Sequence, residues 1–324
     1  MTSSLFKKLL LNGVAYPAFF TFWLLLGAYW TFPYDRLRDF IIQQAEKSGT
    51  IELDIASLEP SWLTGIEMEG VRVRKLPDAP GGTAAPLSIQ SLDARISLLS
   101  LLTGTVEVSY DATIQGGGTI EGVYATSSDS TVIQATLANV DLKRLGPVHD
   151  AIGLPLEGRA RGTIDMTIAS EAANTKGNVD LTIANVAIGD GQTPLVIEGM
   201  GAGITLEQLD VGTVRFKLKT ERGVATIEQL GADGEHAQLW GTGSLRLVQP
   251  LRASSLDVLL RINVKDAYRN SSDRMRVLFG LIDNNPQVRP ARRPDGALQW
   301  RIQGAFGSRI RMVPSGRTEM PGVD

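Results

Sequence analysis

Side chains of alternating polarity recur along most of this chain, and that period of two constrains its fold more than any other feature. Ile51, Leu53 and Ile55 alternate with Glu52 and Asp54; Val106, Val108 and Tyr110 alternate with Glu107, Ser109 and Asp111; Ile164, Met166 and Ile168 alternate with Asp165 and Thr167. The pattern returns at Val179, Leu181 and Ile183, at Val214, Phe216 and Leu218, at Leu256, Val258, Leu260, Ile262 and Val264, and at Leu298, Trp300 and Ile302. Successive side chains of a strand point to opposite faces, so each segment reads as a strand with one apolar and one wet face. A parallel α/β sheet would need crossover helices and strands apolar on both faces. The expected fold is therefore mainly β: a long, curled, mostly antiparallel sheet, open as a groove or layered, with a few short helices.

Two details refine that expectation. Ile66 and Met68 occupy even positions whereas Val71 and Val73 occupy odd ones, so a glycine bulge is expected near Glu69-Gly70. The stretches GTVEVSYDATI, GTIDMTIA, GNVDLTIANVAI and GTGSLRLV each begin at a glycine and then alternate, as similar strands laid side by side would. Gly at 34 and Pro at 15, without a Gly-X-Y period, suit a turn-rich sheet and exclude collagen.

From Leu9 through Trp30 the chain reads LLLNGVAYPAFFTFWLLLGAYW, without a charge. At about 1.5 Å per residue such a helix would reach across an apolar core of about 30 Å. A cleaved signal peptide is the competing reading, since Lys7 and Lys8 precede the apolar run in either case. The length of the run, and Tyr29 and Trp30 where small residues should stand, favour a retained anchor with its N-terminus in the cytoplasm. The expected organisation is a cytoplasmic segment (1–8), a transmembrane helix (9–30), a juxtamembrane helix (31–48) opened by Pro33, an exported β domain (49–305) and an irregular basic tail (306–324). Within the β domain one helix is expected over Val140 to Ile152. Another begins near Asp266 or Ser272, with Met275, Leu278, Phe279 and Ile282 on one side, and ends at Asn284-Asn285-Pro286.

Chemistry-bearing motifs are sparse. Cysteine is absent, which removes disulfides, thiolate metal sites and a cysteine nucleophile. His149 and His236 stand alone and read as surface histidines; no H-x-x-x-H, H-E-x-x-H or H-x-E pattern supplies zinc ligands. There is no G-x-S-x-G elbow or Walker A loop, and GMGAG at Gly199 lacks the spacing and the following helix of a dinucleotide site. The acid pairs Glu52 with Asp54 and Glu67 with Glu69 share strand faces and read as solvated edges rather than acid/base machinery. With Lys plus Arg at 32 and Asp plus Glu at 35, the near-neutral balance points to no nucleic-acid partner. The expectation is a non-enzyme without metal or cofactor. Its one concentrated charge is the basic stretch QVRPARRPDG, where Arg289, Arg292 and Arg293 could meet an acidic partner or lipid head groups.

The order of FPYDRLRDFI (Phe32 to Ile41), LEPSWLTGIEMEGVRV (Leu58 to Val73) and SIQSLDARISLLSLLTGTVEVSYDATIQGGGTIEG (Ser88 to Gly122) behind an N-terminal anchor resembles the type II secretion system protein N family. The last two stretches, with VDLKRLGPVHDAIGLPLEGRARGTIDMTI (Val140 to Ile168), also look like the wider AsmA-like envelope proteins. In these a short helical turn, here Leu98 to Leu102, follows a strand and feeds another. The resemblance implies an inner-membrane protein with a periplasmic β domain, associated with the apparatus that exports folded proteins.

Two functions follow as expectations. One is a non-catalytic, single-pass inner-membrane accessory of type II protein secretion, touching secretion-system proteins through strand edges or the arginine loop. The other is a lipid-binding or lipid-transfer protein, with a phospholipid or other envelope lipid in an apolar groove lined by Ile164, Met166, Ile168, Val179, Leu181, Ile183, Leu256, Val258 and Leu260.

Overall fold

The computed structural model describes residues 16–47, 51–62, 64–75, 86–145, 155–195, 204–248, 253–305 and 310–319. Among these residues two helices come first, α1 (Tyr16–Thr31) and α2 (Tyr34–Glu46), followed by strands β1 (Ile51–Asp54), β2 (Ser57–Ser61), β3 (Gly65–Lys75) and β4 (Leu87–Ile96). A one-turn helix α3 (Leu98–Leu102) leads into β5 (Val106–Ile114), β6 (Thr119–Thr126), β7 (Ser130–Asp141), β8 (Leu156–Ala169) and β9 (Lys176–Ile188). The two-residue strands β10 (Pro194–Leu195) and β11 (Ile204–Thr205) pair with each other alone. Then come β12 (Leu209–Glu221), β13 (Val224–Asp233), β14 (Ala237–Arg246) and β15 (Ser255–Val264), helices α4 (Asp266–Arg269) and α5 (Asp273–Asn284), and finally β16 (Leu298–Ala305) and β17 (Arg311–Pro314).

All strands but β10 and β11 form one 15-stranded sheet, ordered β1-β3-β4-β5-β6-β7-β8-β9-β12-β13-β14-β15-β16-β17, with β2 beside β1 on β3. Nearly every neighbour in space is the neighbour in sequence, so hairpin turns suffice to build it, and the alternation reads out directly. The in-phase residues Ile164 and Val179 stand opposite each other, as do Val179 and Leu218. Between β14 and β15 ten successive pairs run from Ala237↔Val264 to Arg246↔Ser255 without a slip. The expected change of phase appears in burial but not as a bulge in β3: Glu69↔Ser91 and Val71↔Ile89 keep one register across Gly70, which has φ +61°, and a Cβ there would stand 2.9 Å from that of Ala56. That left-handed residue lets Met68 and Val71, of opposite parity, both be buried.

Sequence and structure part in four places. The helix expected to span a bilayer from Leu9 to Trp30 is described only as α1, of 16 residues, and residues 9–15 lie outside the described residues. No helix among the described residues is long and apolar enough to cross a membrane. The membrane partner and the inner-membrane, N-in, periplasmic placement rested on that span and fall with it. Second, the sheet is open and uncurled: β1 and β17 end the strand path and share no ladder. Third, Val140 and Asp141 finish β7, only a 3₁₀ turn at Leu142–Arg144 follows, and 146–152 lie outside the described residues. Fourth, the tail read as irregular contains β17, paired to β16 from Trp300↔Pro314 to Gln303↔Arg311.

Three clusters hold the sheet. The principal one joins Ile114, Val140, Leu156, Leu209 and Val211 to Met275, Leu278 and Phe279 of α5. Tyr268 pins the helices in place: it is buried, its hydroxyl donates to the Glu207 carbonyl at 2.5 Å, and its ring meets His236 at 4.9 Å and Phe279 at 6.1 Å. A second cluster packs Tyr34, Leu37, Ile41 and Ile42 of α2 onto Ile55, Leu58, Met68 and Val71. The third, around Leu218, Ala225 and Ile227, lies within the sheet's own apolar face.

Candidate functional site

The basic stretch lies between α5 and β16, and the fold joins it to a segment far along the chain. Residues Arg289–Ala291 form a 3₁₀ turn whose backbone is tied to the bend after β17: the Gly316 N–H donates to the Pro290 carbonyl at 3.1 Å. Only glycine fits at that contact, since a Cβ on residue 316 would stand 2.5 Å from the Arg292 carbonyl oxygen. Beneath the bend lies Gln299, with no solvent exposure. Its amide nitrogen donates to the carbonyls of Ser315 (2.8 Å) and Thr318 (2.7 Å), and its oxygen accepts from Arg293 Nη1 at 3.1 Å. Arg293 Nη1 also donates to the Thr318 carbonyl at 2.8 Å. A buried amide and a guanidinium thus clamp the 315–318 bend against the 3₁₀ turn.

The clamp encloses a cavity of about 690 Å³ lined by Arg289, Arg292 and Arg317, with Pro286, Pro290 and Pro314 among its walls. Arg292 is paired with Asp283, which also takes Arg269. Arg289 and Arg317 have no carboxylate within ion-pair distance among the described residues. The cavity is therefore electropositive. The fixed fork of donors on each guanidinium suits these side chains to holding an anion. Of the residues expected in this site, Arg289 and Arg292 line the cavity while Arg293 supports its floor. Arg317, assigned only to the basic tail in the sequence, completes it.

The nine apolar residues do not make one site. Those on β8 and β9 are neighbours, but β12, β13 and β14 separate them from Leu256, Val258 and Leu260 on β15. Val179 and Val258 pack against the cluster of Leu218, Ala225 and Ile227, and Ile183 packs against the principal core. The expected curled groove is not formed, and the ground for a lipid partner goes with it. The secretion-accessory reading required the spanning anchor and fails for the reason given above.

Sequence reasoning missed a row of acids. Register sets Glu59 opposite Glu67, Glu67 opposite Asp93, Asp93 opposite Asp111 and Asp111 opposite Glu121, across five adjacent strands. Directly opposed like charges destabilise a sheet, and here local partners offset part of the cost. Burial raises the Asp93 pKa, but hydrogen bonds from the Ser61 hydroxyl (2.6 Å) and Arg95 Nε (2.9 Å) bring it below its ordinary value. No group of three or more histidine or acidic side chains among the described residues stands close enough to hold a metal ion. The pairs Glu52 with Asp54 and Glu67 with Glu69 pointed to the wet faces, but the row crosses strands and needs the register to be seen. His236 is likewise no surface histidine: half-buried, its Nδ1 accepts the Asp210 N–H at 3.0 Å. His149 lies outside the described residues.

No family model, curated protein or solved structure matches the chain.

Proposed function

We propose that this chain is a non-catalytic binding scaffold in which a broad open sheet holds, at its C-terminal edge, an arginine-lined pocket that captures an anionic group of a partner. One observation carries the reading. Arg289 and Arg292 on one segment and Arg317 on another surround a single cavity beside a fully buried glutamine, and among the described residues only Arg292 of the three has a carboxylate partner, Asp283. Converging guanidinium groups are the usual protein answer to carboxylate and phosphate, because their forked donors match two oxygens at once.

Titration of the full chain with inorganic phosphate, followed by amide and guanidinium NMR shifts, tests the reading. Saturable shifts at Arg289, Arg292 and Arg317 are expected, weakened about tenfold or more in Arg289→Gln/Arg317→Gln, as befits loss of charge-assisted bonds. Shifts that do not saturate, or that persist in the double variant, overturn it.

A further inference from the structure

The pocket opens at the end of an edge strand, and the two features fit one ligand. β17 hydrogen-bonds β16 on one side and ends the sheet, so alternate N–H and C=O groups along its other side lack a ladder partner among the described residues. Pro314, its last residue, is also a wall of the arginine pocket, and the clamped bend begins at Ser315. Along the strand, Met312 (62% exposed) and Val313 (39%) present apolar surface beside the exposed Arg311.

We infer that an acidic extended peptide adds to β17 as a further antiparallel strand and places a carboxylate at its N-terminal end among Arg289, Arg292 and Arg317. This rests on the anion-binding reading above and names the class of partner. Antiparallel addition fixes the polarity: β17 runs toward the pocket, so the incoming strand runs away from it, with acidic residues preceding the strand-forming ones. Charge argues against the same edge of a second copy as occupant. Two β17 edges would set Arg311 and Arg317 against their counterparts, and like-charge pairing across strands is unfavourable. An acidic strand meets the same arginines favourably, and an edge carrying arginine and ending in proline rejects indiscriminate pairing.

The test uses the full chain and a labelled peptide of alternating threonine and valine preceded by two glutamates, read by fluorescence anisotropy. Binding should fall about tenfold or more when the glutamates become glutamines and in Arg289→Gln/Arg317→Gln, and should weaken with salt. Backbone N-methylation of the peptide at alternate residues should abolish binding in one register and spare it in the other, because only one set of amides faces β17. That comparison leaves the protein unaltered, so misfolding cannot imitate it. Equal tolerance of both methylated registers, or equal binding when the glutamates follow the strand residues, overturns strand addition while phosphate binding leaves the pocket reading intact. Loss of phosphate binding together with peptide binding removes both. Salt-sensitive self-association of the chain that the Arg289→Gln/Arg317→Gln variant abolishes would make a second copy the occupant and overturn the peptide.

Discussion

The two edges of the sheet are built differently. At the N-terminal edge, α2 lies over β1 and β2, and Tyr34, Leu37 and Ile41 pack onto the cluster of Ile55, Leu58, Met68 and Val71. At the C-terminal edge no α-helix among the described residues covers β17, and Met312 and Val313 are exposed. What holds that edge is polar: Gln299 and Arg293 hydrogen-bonded to a bend. Charge divides the same way, with the acid row from Glu59 to Glu121 at one edge and the arginine pocket at the other. An edge closed by apolar packing gains stability from area removed from water, whereas an edge closed by buried hydrogen bonds gains definition of position. The second kind suits a binding site.

The sharpest way to break this contrast is to cut side chains at both edges. Met68→Ala, in the covered edge, should cost about 2–5 kcal/mol in urea unfolding, as buried methionine truncations do. Met312→Ala, at the bare edge, should stay within about 0.5 kcal/mol. Similar losses at both positions would mean that β17 is covered and that the contrast is false.

Gln299→Ala sharpens it from the polar side. Removing the amide leaves the Ser315 carbonyl without its buried donor, while Arg293 and the Thr318 carbonyl keep only each other, at a cost of about 1–3 kcal/mol. A pure packing defect would lower stability alone. The clamp also demands that phosphate affinity fall with Arg289, Arg292 and Arg317 all unmutated, and amide exchange at 315–318 should rise. Unchanged affinity would show that the bend holds its place without the glutamine.

Much of this was legible in the sequence, and the limit follows from what a period can report. Alternation marks which residues share a face, so segments such as Ile164 to Ile168 and Leu256 to Val264 were recognisable as strands. Helix α5 was equally plain, because Ser272 accepts the Met275 N–H as its N-cap (3.2 Å) and Met275, Leu278 and Phe279 repeat at helical spacing. Alternation does not report which strand lies beside which, and both charged features depend on that. The acid row needs cross-strand register, and the pocket needs Gly316 to meet Pro290 across two strands. The apolar groove failed for a related cause: a face apolar in every strand is equally consistent with a curled trough and with an open sheet whose residues pack sideways, as Val179 and Val258 do. The anchor is not borne out, since no helix among the described residues is long and apolar enough to cross a membrane, and residues 9–15 lie outside them.

The acid row predicts a gain. Asp111→Asn removes one charge from between Asp93 and Glu121 without changing side-chain shape, and should raise stability by about 0.2–1 kcal/mol at neutral pH. A loss at pH 7 would mean that Asp111 makes a favourable contact outweighing the repulsion.

The smallest expected effect lies near the other edge, where Asp257 and Arg301 face each other across β15 and β16 with both side chains partly exposed. Arg301 Nε donates to Asp257 Oδ1 at 2.6 Å, and this bond, opposed by slight burial and aided by the guanidinium charge, holds the Asp257 carboxyl below its ordinary range. A carboxyl whose folded pKa is depressed stabilises the fold fully above its unfolded pKa, about 3.9, and loses that contribution as pH falls through the folded value. Because the pair is wet, the contribution is under about 1 kcal/mol. The wild-type minus Asp257→Asn difference in unfolding free energy should therefore be constant from pH 7 to about 5 and shrink below about pH 4. Added salt should reduce it at pH 7 and leave the Met68→Ala loss unchanged, because screening acts on exposed charge and not on buried area. If the Asp257→Asn difference instead grew as pH fell, Arg301 would be holding the protonated side chain, and the edge would owe its order to something other than paired charge.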